Sequence, residues 1–187
     1  LLCACERWGV QSTLKKLVGM FAFALWDHTE RKLFLARDRA GKKPLYFGRF
    51  GSYIYFASEI KAFKAIKTLS LSLDEEALHH YLTLGFVPSS NSIYNELNVV
   101  PAGQWMQFDL NGGVKHERYW SPAKESSEKI SFNDAVDRTE ELLRESVKLR
   151  LRADVPVGVF LSGGIDSGLI TSIAAQQSQI PLRTFTV

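Results

Sequence analysis

Residues 160–168 read FLSGGIDSG. The stretch holds two hydroxyls, Ser162 and Ser167, two adjacent glycines, Gly163 and Gly164, and a carboxylate, Asp166, directly behind the apolar run VPVGVFL. A plain strand-to-helix turn needs one glycine and one cap. Adjacent glycines let a backbone approach a ligand closely. A loop that opens a helix also presents free N–H groups and the helix dipole to an anion, usually phosphate. Ser162 and Ser167 add hydroxyl donors. Asp166 would repel bare phosphate; its presence makes sense with Mg²⁺ between carboxylate and phosphates, because Mg²⁺ takes a carboxylate or two together with phosphate oxygens. The pattern is neither of the common glycine-rich nucleotide loops. The plainer alternative is a tight turn in which Asp166 or Ser167 caps the helix.

The surrounding elements place this stretch. VPVGVFL reads as a strand, with Pro156 suited only to its start. LITSIAAQQ reads as a helix with Leu169, Ile170, Ile173 and Ala174 on one side, and LRTFTV reads as the next strand. Strand, loop, helix, strand is the opening of a parallel α/β domain. Ahead of it SFNDAVDRTEELLRESVKLRLR is strongly helical, with Ser131 as N-cap and Val136, Leu143 and Val147 on one face. The polar, serine-rich segment 121–130 reads as a linker.

The first 120 residues have another character. GMFAFALWD is apolar on both faces, as expected for a strand buried between two layers. LFLARD and SYIYFASE read as further strands, and the close spacing predicts an antiparallel meander. Ser72 and Glu75 form a capping-box pattern for a short helix that Gly85 ends. Asn111 and Gly112 mark a hairpin. LLCACERWGV reads as part of an amphipathic helix, and the far end stops within a strand-like run, so both ends read as cuts in a longer chain. Cys3 and Cys5 point to different sides of that helix, which argues against a mutual disulfide.

Composition narrows the function classes. The chain has 187 residues, 45% hydrophobic and 23% charged, with a net charge of +3 and no Lys/Arg block. Nucleic-acid binding gains little electrostatic support from this. No apolar run reaches the ~20 residues of a membrane span.

SGGIDS resembles the pyrophosphate-binding loop of the N-type ATP pyrophosphatases, which split ATP into AMP and pyrophosphate while adenylating a substrate. GMFAFALWD, ARDRAGKKPLYFG and FASEIKAF, followed by DVPVGVFLSGGIDS, resemble the glutamine-dependent asparagine synthetase family over essentially the whole chain. The resemblance implies an α+β part followed by an α/β part. Residues 1–120 would be the C-terminal part of a glutaminase domain of the αββα N-terminal-nucleophile type. Residues 131–187 would begin a parallel-sheet ATP-pyrophosphatase domain.

The resemblance also assigns residues. Ser162, Gly163, Gly164, Asp166 and Ser167 match the pyrophosphate loop, with Asp166 the catalytic and Mg²⁺-binding carboxylate. Leu161 and Val187 match residues that contact the adenylate, and Met20 matches a residue lining an ammonia tunnel. Gly168 stands where a second serine is common. The implied substrates are ATP, aspartate and glutamine, with Mg²⁺ as cofactor, a cytoplasmic setting, and a homodimer as one assembly. The family's nucleophilic cysteine, with a free α-amino group as base, would lie upstream of Leu1, and neither Cys3 nor Cys5 matches it. Amidation or cyclisation of another carboxylate stays open as an alternative, as does a non-catalytic homologue. Arg37, Asp38 and Lys43 read as ion-paired structure. The aromatic residues 21, 23, 26, 34, 46, 47, 53, 55 and 56 read as core.

Overall fold

A computed structural model describes residues 1–88, 91–122 and 129–186. Most of the expected linker (residues 123–128) and Val187 lie outside the described residues. The chain divides into two compact units at residues 123/124.

The first unit contains α1 (Leu2–Lys16), β1 (Ala22–Asp27), β2 (Lys32–Arg37), β3 (Tyr46–Phe50), β4 (Tyr53–Ala57), α2 (Ile60–Lys64), α3 (Glu75–Leu84), β5 (Asn98–Val99), β6 (Gln104–Asp109) and β7 (Val114–Arg118). The strands do not form one meander. They form two antiparallel sheets, ordered β1-β2-β6-β7 and β4-β3-β5. The hairpins β1–β2 and β3–β4 are local, as spacing suggests. Their assignment to different sheets depends on β5 and β6, which are distant in sequence.

Strand parity explains the doubly apolar strands. Leu33 and Leu35 of β2, Ala22 and Ala24 of β1, and Met106 and Phe108 of β6 face one way, into a core shared with Phe47 of β3 and Ile54 of β4. Phe34 and Ala36 of β2, together with Phe21, Phe23 and Trp105, face the other way, onto Val10 and Leu14 of α1 and Leu17 just beyond it. The first sheet is therefore sandwiched between a helix and a second sheet. Leu35 is fully buried at its centre, where truncation to alanine costs about 2–5 kcal/mol.

Three sequence readings change here. α1 is broken at Gly9, where φ is 74° and ψ is 160°, so only its second half presents a continuous packed face. α3 is capped by Asp74, which accepts from Ala77 N at 3.0 Å, and not by Ser72. Ser72 instead donates from Oγ to Glu96 at 2.6 Å and from N at 2.9 Å, and these bonds hold the Glu96 carboxyl below its ordinary range. Trp26, Tyr53 and Phe56 are 42%, 68% and 44% exposed. They line a cavity of about 610 Å³ at the hairpin end of the sandwich and do not belong to its core. Gly85 ends α3 in the left-handed region, as expected.

Aspartates organise two hairpin ends. Asp27 Oδ1 accepts from Thr29 N and Glu30 N, both at 2.9 Å. Asp109 Oδ1 accepts from Asn111 N at 2.9 Å and Gly113 N at 2.8 Å, in the Asn-Gly hairpin that joins β6 to β7.

The second unit contains α4 (Phe132–Arg150), β8 (Gly158–Phe160), α5 (Ile165–Gln177) and β9 (Arg183–Phe185). Ser131 caps α4 by accepting from Asp134 N at 3.2 Å. Val147 of α4 and Ile173 and Ala174 of α5 form a buried cluster, joined by Leu143, Val159 and Ile170. Val136 and Leu169, expected on the packed faces, are 48% and 47% exposed. β8 and β9 pair in parallel, Gly158 to Arg183 through Phe160 to Phe185. The described part of VPVGVFL that pairs is only three residues long.

Candidate functional site

The glycine-rich stretch sits where β8 gives way to α5. Leu161 N donates to Phe185 O of β9 at 2.8 Å. The backbone then turns through Gly163, whose φ of +79° suits glycine. Gly164, with φ −78° and ψ 162°, is the N-cap residue of α5, and no side chain caps this helix. Asp166 and Ser167 therefore lie inside the first turn, and the capped-turn alternative does not describe this loop. The first backbone donation back along α5 is from Gly168 N to Gly164 O at 3.0 Å. Among the described residues, the N–H groups of Gly163, Gly164, Ile165, Asp166 and Ser167 donate to no backbone carbonyl. A helix start of this kind has donors to offer an anion.

The two serines are bonded to each other. Ser162 Oγ and Ser167 Oγ are 3.1 Å apart, and Ser167 Oγ donates to Gly164 O at 3.1 Å. A serine hydroxyl has one proton. With that of Ser167 on Gly164 O, Ser162 is the donor to Ser167. Ser162, Gly163, Gly164 and Asp166 are exposed, and Leu161 and Ser167 are half-buried. No described cluster of three or more His, Cys, Asp or Glu side chains could hold a metal. One exposed carboxylate beside free N–H groups fits Mg²⁺ held jointly by Asp166, phosphate oxygens and water. Gly168 has open space where a side chain would begin.

The remaining candidates belong to the first unit. Met20 precedes β1 and is 49% exposed. Cys3 and Cys5 are free thiols within α1, and Cys5 N is already bonded to Leu1 O. Arg37 and Asp38 are not ion-paired, contrary to the sequence reading. The Arg37 guanidinium donates to three backbone carbonyls: Lys43 O at 2.8 Å, Val100 O at 3.0 Å and Gly41 O at 2.7 Å. Asp38, 1% exposed, accepts from Ala40 N, Lys42 N and Lys43 N at 3.1, 3.0 and 2.9 Å. Burial alone would raise its carboxyl pKa. The N–H bonds from Lys43, Lys42, Phe21 and Ala40 outweigh burial and hold it below the ordinary value. Tyr119 donates to Arg37 O at 2.8 Å, and burial, followed by the Asp38 charge, pushes its phenol up to about 12. The Arg37 guanidinium and the Asp38 carboxylate are thus occupied by the backbone of their own loop and its neighbours.

Sequence reasoning missed one residue beside the glycine loop. Thr186 Oγ1 donates to Leu161 O at 2.9 Å. Its only signal is its position at the end of the strand that flanks the loop.

Comparison with known proteins gives two family matches. Residues 1–120 match the model of the glutamine amidotransferase domain family, and residues 138–187 match that of asparagine synthase. The chain is 34% identical over 191 residues to asparagine synthetase (glutamine-hydrolyzing) 1 of Bacillus subtilis, covering 100% of this chain and 29% of that protein. It is 36% identical over 178 residues to asparagine synthetase (glutamine-hydrolyzing) 3 of the same organism, covering 91% and 28%. The chain belongs to the asparagine synthetase family. It spans less than a third of the length of these two curated relatives. Among solved structures, glutamine phosphoribosylpyrophosphate amidotransferase from B. subtilis, complexed with ADP and GMP, is similar over 95% of this chain and 35% of that one. The TM-score is 0.40 at 19% identity, a likeness that carries no argument. No described helix is long and apolar enough to cross a membrane.

Proposed function

We propose that the protein is an ATP-dependent ligase that converts aspartate to asparagine with ammonia released from glutamine. The observation that carries the reading is the uncapped start of α5, with its unbonded N–H groups and Asp166 behind a parallel strand. The two family matches, and relatives named as glutamine-hydrolysing asparagine synthetases, favour aspartate as the acceptor.

In this reading the β-carboxylate of aspartate attacks the α-phosphorus of ATP. The bond to the bridging oxygen of the β-phosphate breaks, and pyrophosphate leaves with the electron pair. Ammonia then attacks the acyl carbon, loses a proton and displaces AMP. The N–H groups of Gly163 to Ser167 hold the departing pyrophosphate, and the linked hydroxyls of Ser162 and Ser167 keep that turn in shape. Donors fixed in advance where charge develops lower the barrier most. Mg²⁺, bound through Asp166, would neutralise charge on the phosphate oxygens. Leu161 and Val187 would contact the adenylate, and Met20 would line the ammonia route. Residues 1–120 and 131–187 would belong to the glutaminase and synthetase domains respectively.

The test is product analysis with labelled ATP in the intact protein. AMP and pyrophosphate should form in step with asparagine. ADP and phosphate would overturn the reading.

A further inference from the structure

We propose that Thr186 is a positioning residue that sets where the anion-binding turn begins. The proposal rests on the reading of residues 162–167 as a pyrophosphate site. The regular pairing of β8 with β9 ends at Phe160 opposite Phe185. One residue later both polar groups of the Leu161 backbone are held from the β9 side. Its N–H donates to Phe185 O at 2.8 Å, and its carbonyl accepts from Thr186 Oγ1 at 2.9 Å. Immediately beyond it the backbone swings into the turn at Gly163. Leu161 is thus the last residue anchored on both sides before the free donors, and the orientation of its carbonyl sets the direction in which the loop leaves.

The Thr186 hydroxyl cannot serve the anion directly in this geometry. Its one proton is on Leu161 O, so it shows lone pairs to any ligand. Its contribution passes through the Leu161 carbonyl. The branched side chain suits such a role, because threonine is stiff about χ1. Thr186 is not part of the buried cluster around Val147, Ile173 and Ala174, so substitution leaves that cluster in place.

Thr186→Val keeps the shape and removes the donor, whereas Thr186→Ser keeps the donor. Two readouts are needed in the intact protein: amide hydrogen exchange at Leu161 without ligand, and inhibition of synthesis by Mg-pyrophosphate. Thr186→Val should lower protection of the Leu161 amide and weaken pyrophosphate inhibition about fivefold, the scale of one neutral hydrogen bond. Thr186→Ser should restore both, and the melting temperature should be the same in all three proteins. Unchanged exchange and unchanged inhibition in Thr186→Val would overturn the proposal, as would a failure of serine to rescue. If the unsubstituted protein is not inhibited by pyrophosphate, the site reading fails, and Leu161 exchange alone then decides the role of Thr186.

Discussion

Ser162 Oγ lies 3.1 Å from Ser167 Oγ across the glycine turn, and Ser167 in turn donates to Gly164 O. The bonds are sequential, so the two serines are not equivalent. Removing Ser167 breaks both bonds, whereas removing Ser162 breaks one. Ser167→Ala should weaken pyrophosphate inhibition about tenfold and Ser162→Ala about threefold, at roughly 1 kcal/mol or less per bond. Inhibition constants for the two variants check the order. A reversed order would show that Ser162 acts directly on the anion and not through Ser167.

Asp166→Asn should nearly abolish asparagine formation with either glutamine or ammonia as nitrogen source while glutamine hydrolysis continues. Loss of one stabilising group of this kind commonly costs on the order of 10²–10³ in rate. Steady-state rates with both nitrogen sources test it. Normal synthesis in the variant would remove Asp166 from the site.

Met20 should affect coupling and not chemistry. A charged replacement such as Met20→Lys should raise the ratio of glutamine consumed to asparagine formed, while free ammonia still supports synthesis. Equal loss with both nitrogen sources would count against a tunnel role.

Asp38 should make the first unit acid-sensitive. Its folded-state pKa is lowered, so its stabilisation is complete above the ordinary carboxylate value of about 4. It is lost as pH falls through the folded value. Asp38→Asn should cost about 2 kcal/mol at neutral pH, because a buried N–H loses a charged acceptor. Urea midpoints between about pH 6 and pH 2 should fall less steeply in the variant. On the alkaline side the Tyr119 phenol is raised to about 12. Its contribution is present below the ordinary tyrosine value of about 10 and fades as pH rises through the folded value, a decline that Tyr119→Phe should remove.

Gly168→Ala should stabilise the second unit by about 1 kcal/mol, the difference between alanine and glycine within a helix. A Cβ there meets nothing within 4 Å. A rise in thermal midpoint would confirm it, and a fall would show that the glycine is required for a close approach.

The order of elements around the glycine loop was legible in sequence because each signal is local. The apolar run and Ser131 as a cap act within a few residues of themselves, as does the Asn-Gly hairpin of the first unit. Partition of the strands into two sheets was not legible, because it depends on β5 and β6 returning to β3 and β2 from about 50 to 75 residues away. Arg37 was misread for a related reason. An arginine near an aspartate suggests a pair, yet its three acceptors are carbonyls, which sequence does not display. The Asp74 cap and the Ser72–Glu96 contact exchanged roles because two short polar residues, two positions apart, can each begin a helix. Thr186 carries no motif at all.

The two-faced strands have a consequence for alignment. β2 offers Leu33 and Leu35 to one layer and Phe34 and Ala36 to the other. A slip by one residue would exchange these sets and still bury carbon on both sides, so polarity discriminates weakly between registers. Discrimination then falls to the hairpin ends, where Asp27 and Asp109 each hold two N–H groups and fix which residue turns the corner. The competitor to the native sandwich is therefore a misaligned one of similar greasiness, a trap during folding and not an open chain. Two turn aspartates, remote from the core, act as its proofreaders.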